Sequence, residues 1–88
     1  MLRVTKVQKT NFHAARAFAA DVLGTLKCRP LQLPKQDGEY SFTMETKDGT
    51  WVYDVFGDEN DTWKIKSQTG AEKYLEDVMK DGIATIMH

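Results

Sequence analysis

The sequence predicts an α+β domain of two layers, an antiparallel β-meander with two helices packed on one of its faces. Three observations carry this. Residues 40–56 hold two runs of alternating apolar and polar side chains around Asp48-Gly49. Residues 12–27 repeat apolar side chains at helical spacing, and residues 70–80 do so again. Periods of two and of 3.6 in this order give β-α-β-β-β-α, with possible short terminal strands.

Taken in chain order, Leu2 to Val7 alternates as a short strand, with Leu2 and Val4 on one face. Thr10 or Asn11 can accept a backbone N–H as helix N-cap. The first helix is predicted from Phe12 to Lys27, with Phe12, Ala15, Ala19, Val22, Leu23 and Leu26 on one stripe and Phe18 at its edge. Arg29-Pro30 ends it, because a residue before proline disfavours the α region. Leu31 to Pro34 reads as a loop or an edge strand, since proline cannot donate to a ladder. Gln36-Asp37-Gly38 is a turn.

Tyr40 to Phe56 is the hairpin. With Asp48-Gly49 as a two-residue type I′ loop, Lys47 pairs with Thr50, Thr46 with Trp51, Met44 with Tyr53, and Phe42 with Val55. The two apolar sets then share a face, which a one-residue slip would destroy. Gly57 to Thr62 is a polar loop, and Trp63 to Lys66 alternates as the next strand. Trp63 reads as a core anchor ahead of an interface hot spot. Thr69-Gly70-Ala71-Glu72 matches a capping box, with Thr69 as N-cap of a helix over 70–80. Its buried stripe is Ala71, Tyr74, Leu75, Val78 and Met79, and Gly82 is its stop. Ile83 to Met87 is a last short strand or a packed tail. The expected core is Leu2, Val4, Phe12, Ala15, Ala19, Val22, Leu23, Leu26, Phe42, Met44, Trp51, Tyr53, Val55, Leu75 and Val78.

The 88 residues make a single domain spanning 1–88. No apolar run of about 18 residues is present, so no membrane partner is expected, and the start lacks the apolar core of a signal peptide. One cysteine, Cys28, fits a reducing cytoplasm. The net charge of −1 speaks against generic nucleic-acid binding, yet it hides a split. Residues 1–36 sum to +6 and residues 37–62 to −7, while residues 63–88 balance.

Chemistry is sparse. A rise of about 1.5 Å per residue puts His13 and Cys28 at opposite ends of the first helix, so they cannot act together. No local pairs of zinc ligands exist, and Asp58 to Asp61 lacks the glycine and distal glutamate of a calcium loop. No glycine-rich phosphate loop is present either. No cofactor, metal or catalytic residue is expected. Glu45 and Asp54 share the outer face of the hairpin, where nothing desolvates them, so an acidic solvated face outweighs an acid–base pair.

That outer face also holds Val52 and Phe56, unusual on a sheet side without a covering layer. Either residues 83–87 or Leu31 and Leu33 cover them, or they form an apolar pair ringed by acids. The α-β-β-β-α run is similar in topology to double-stranded-RNA-binding domains. Those domains grip phosphate with lysines at the start of the last helix, whereas Thr69-Gly70-Ala71-Glu72-Lys73 offers one lysine beside an acid, so no family is assigned.

The leading expectation is therefore a non-catalytic protein-binding or regulatory module, such as a small inhibitor or phage-type accessory protein. It would use Glu45, Val52, Asp54, Phe56, Asp58, Glu59 and Asp61 against a partner with a basic, nucleic-acid-binding surface. Opposite charge on the two parts also permits a homodimer. The alternatives are RNA or DNA binding through Arg3, Lys6, Lys9, Arg16, Lys27 and Arg29, and, last, a small-ligand binder or enzyme.

Overall fold

The computed structural model describes residues 12–60 and 62–86. The strand expected at Leu2–Val7, the caps Thr10 and Asn11, and Asp61 lie outside the described residues. Helix α1 (Phe12–Leu26) buries Ala15, Ala19, Val22, Leu23 and Leu26, the stripe expected from spacing. Phe12 itself is only half-buried. Its N–H donates to Asp37 Oδ1 at 2.9 Å, so a donor at the helix start is satisfied from the turn before the hairpin.

The helix stops earlier than the proline implies. Lys27 adopts φ 57, a left-handed conformation that turns the chain straight into strand β1 (Cys28–Gln32). Pro30 sits within β1, and this is tolerated because β1 is an edge strand. Pairing with the next strand slips between Pro30 and Gln32, where a bulge breaks the ladder.

Strands β2 (Ser41–Thr46) and β3 (Val52–Gly57) form the expected hairpin, with Met44 opposite Tyr53 and Phe42 opposite Val55. The turn differs in type. Gly49 N donates to Thr46 O at 2.8 Å, and Thr46 N to Trp51 O at 3.0 Å. Gly49 is at φ 74, whereas Asp48 is not at positive φ. A type I′ loop would need positive φ at both. The connection is thus a four-residue loop, Lys47 to Thr50, closed on Thr46 and Trp51. Its side chains explain the preference: Asp48 Oδ1 accepts Thr46 Oγ1–H at 2.7 Å and Thr50 N–H at 2.9 Å. The register survives because Thr46 still faces Trp51.

Strand β4 (Trp63–Ser67) follows, and here the capping-box expectation fails. Thr69-Gly70 is the tip of another hairpin. Ser67 N donates to Ala71 O at 2.8 Å and Gly70 N to Ser67 O at 3.0 Å, with Gly70 at φ 94. A short strand β5 (Glu72–Tyr74) pairs with β4. Helix α2 begins only at Leu75 and runs to Asp81. Tyr74, expected in the buried stripe, is therefore 53% exposed on the edge strand. Gly82 ends α2 as anticipated, its N–H bonding Val78 O at 2.7 Å. Residues 83–85 form a 3-10 turn rather than a strand, and Ile86 is buried in the core, so this is a packed tail.

Among the described residues the result is one five-stranded antiparallel sheet in the order β1-β2-β3-β4-β5, each strand beside its sequence neighbour. It has two more strands than the α-β-β-β-α run noted in the sequence. Both helices pack on one face. Phe42, Met44, Tyr53, Val55, Trp63 and Ile65 meet Ala19, Val22, Leu23, Leu26, Leu75, Val78 and Ile86 there. Trp63, not Trp51, is the aromatic anchor. Trp63 is buried and stacks on Phe18 at 4.6 Å, while Trp51 is half-buried at the rim.

Candidate functional site

Alternation along β2 and β3 sends Glu45, Thr43 and Ser41, with Val52, Asp54 and Phe56, to the face opposite the helices. The pairing extends this face across the sheet. Arg29 lies opposite Glu45, Lys66 opposite Asp54, and Lys64 opposite Phe56. On β5, Glu72 follows Lys66 and Tyr74 follows Lys64. The acidic surface expected from the sequence is thus interleaved with cations, because strands of unlike charge become neighbours.

The sequence-proposed residues divide accordingly. Glu45 is paired with Arg29 at 3.2 Å. Asp58 organises its own loop, Oδ1 accepting the N–H of Asn60 and of Thr62 at 2.9 Å each, while Oδ2 lies 3.9 Å from Lys64 Nζ. Both carboxylates have structural work. Val52 is half-buried, and its N–H donates to Gln68 Oε1 at 2.9 Å, tying the edge of the face to the β4–β5 turn. Glu59 is exposed in the loop. On the middle strand, β3, Asp54 is exposed and Phe56 half-buried near the strand's end.

Residues 83–86 cannot cover Val52 and Phe56, because Ile86 packs into the helix-side core. On the β1 side, Leu33 approaches Phe56 across a shallow cleft of about 320 Å³. Gln32, Glu39, Ser41, Phe42, Thr43 and Asp54 complete its wall. Glu39 Oε1 accepts the N–H of Lys35 and of Gln36, each at 2.9 Å, which fixes that carboxylate at the rim. Sequence reasoning missed Gln32 and Glu39 as site residues. The bulge that brings the 32–39 segment beside the hairpin has no signal in the sequence beyond Pro30.

Cys28, Tyr53 and His13 lie outside the cleft. Burial pushes the Cys28 thiol up from its ordinary value. Burial, then the neighbouring Cys28 and Asp48 charges, push the Tyr53 hydroxyl up to about 12. His13 is exposed at the start of α1, its ring against Phe12 at 4.0 Å. Among the described residues no three His, Cys, Asp or Glu side chains gather as metal ligands, and no helix is long and apolar enough to cross a membrane.

No protein-family model, curated protein or solved structure matches this chain.

Proposed function

We propose that this domain is a non-catalytic protein-binding module that presents the outer face of its sheet, centred on Asp54 and Phe56, to a partner with a basic surface. The observation that carries the reading is the unequal treatment of the two sheet faces. The helices and Ile86 bury one. The other keeps Val52 and Phe56 half-buried beside exposed Asp54, with none of the described helices on it. Apolar side chains interspersed with charged ones suit a transient protein interface, which is about as apolar as the rest of a protein surface. If the basic partner surface also binds nucleic acid, occupying it would make the domain an inhibitor.

The test places a benzophenone photo-crosslinker at Ser41, exposed on this face, or at Glu76, exposed on α2. Irradiation in lysate should yield protein adducts from the Ser41 position that resist nuclease and are absent from the Glu76 position. Adducts from Glu76 alone would move the interface to the helix layer. Nuclease-sensitive adducts would replace this reading with nucleic-acid binding.

A further inference from the structure

We propose that the cleft between the 32–39 segment and the outer face of β2 and β3 is a receptor for an arginine side chain of the partner. The guanidinium lies on the Phe56 ring, with Asp54 and Glu39 as its counter-charges. This rests on the reading of the outer face as a protein-binding surface, and it names the chemistry that face recognises.

The cleft lies beside the bulge in β1, and its volume of about 320 Å³ is at the small end of ligand pockets. That is room for one side chain rather than for a large cofactor. Its two ionisable lining groups, Glu39 and Asp54, are both carboxylates, and neither lysine nor arginine lines it. Lys64 and Lys66 stand on β4, on the far side of β3 from the cleft. Lys66 is the cross-strand neighbour of Asp54 on that side, so the cation-free side of Asp54 is the one that faces the cleft, whose wall carries carboxylates alone as charged groups. Ser41 and Thr43 add hydroxyl oxygens and Gln32 an amide oxygen, all able to accept.

The aromatic wall distinguishes the two cationic side chains. A guanidinium is planar and weakly hydrated, so it stacks on a ring while its in-plane N–H groups reach acceptors at the rim. An ammonium is a compact, strongly hydrated point charge and gains less from a flat apolar wall. Carboxylate, hydroxyl and amide acceptors share the lining with Phe56, a combination that suits a guanidinium.

The experiment titrates the labelled domain with three capped pentapeptides and follows its amide NMR signals. The peptides are identical except for a central arginine, lysine or citrulline. The arginine peptide should shift Ser41, Thr43, Asp54 and Phe56 saturably, and the citrulline peptide should not. Asp54→Asn should weaken the arginine peptide by about tenfold, the loss expected for a hydrogen bond to a charged group. Glu76→Gln, exposed on α2 in the helix layer, should leave it unchanged. Asp54 is exposed, and the amide spectrum itself reports whether the variant is folded. Equal binding of the lysine peptide, shifts mapping elsewhere, or an unaltered affinity in Asp54→Asn would each overturn the proposal. Should Ser41 crosslinks persist while the arginine peptide fails, the arginine receptor falls and the interface stands. Should those crosslinks be absent as well, the interface reading fails with it.

Discussion

At the scale of single residues, two tryptophans that look alike in the sequence carry different weight. Trp63 is 4% exposed, stacked on Phe18 at 4.6 Å and tilted against Phe42 at 6.4 Å. Trp63→Ala should cost about 3–5 kcal/mol, the range for deleting a buried large aromatic, and leave little of the stability of a small domain. Trp51→Ala, at the half-buried rim, should cost roughly 1–2 kcal/mol, since less apolar area is lost. Urea midpoints of the two variants decide the order; the reverse would mean the register of the hairpin is wrong. Asp48 is a second case. Its bonds from the Thr46 hydroxyl first, and then from the Thr50 N–H, lower its carboxyl from 3.8 to about 2. A depressed folded value stabilises above the unfolded value and is lost as pH falls through the folded one. Asp48→Asn should therefore lower Tm near neutral pH, and the gap to wild type should close between pH 3.8 and about 2. A gap constant across that window would show that the turn bonds do not depend on the charge.

At the scale of elements, the stretch Ser67 to Leu75 shows how a local signal can be outweighed. Thr-Gly-Ala-Glu satisfies a capping box, yet the same residues satisfy a hairpin, with glycine at the left-handed position. The hairpin prevails because it extends the sheet by β5 and still leaves Leu75 and Val78 to close the core from α2. Two glycines test this. Gly70 sits at φ 94, so Gly70→Ala should destabilise by about 1 kcal/mol. Gly24 lies exposed within α1 with nothing within 4 Å of an added Cβ, so Gly24→Ala should stabilise by about 0.5–1 kcal/mol. Chemical denaturation should give opposite signs. A Gly70→Ala variant as stable as wild type would favour the helix start that the sequence suggested.

At the scale of the whole molecule, the strand order makes every sheet contact one between sequence neighbours, and the helices and tail complete the core from one side. Ile86 is 1% exposed, although it follows only a 3-10 turn. Ile86→Ala should cost about 2–5 kcal/mol, as for a core position, rather than the small change typical of a peripheral one. A thermal melt distinguishes these. The same global arrangement also dissolves the charge asymmetry. Part of the basic first third lies beside the acidic segment, pairing Arg29 with Glu45, and the balanced last third supplies Lys64 to Asp58. These pairs at the partly exposed surface remove Glu45 and Asp58 from any simple acidic patch.

What the sequence determined by itself was whatever repeats locally. Phe42, Met44, Tyr53 and Val55 share a face because strands alternate, and Ala15, Ala19, Val22, Leu23 and Leu26 share one because helices turn every 3.6 residues. Those periods need no tertiary information, and they named the layers, the hairpin register and the face bearing Asp54 and Phe56. Tertiary structure decided what local preference leaves nearly degenerate. Residues 69–74 could cap a helix or close a hairpin, and only the free edge of β4 selected the second. Likewise, which cation meets which carboxylate depends on strand adjacency, and the Glu39–Asp54 cleft on a bulge at the sheet edge. Contacts between residues distant in the chain are set by packing of the assembled sheet, whose free energy belongs to no single segment.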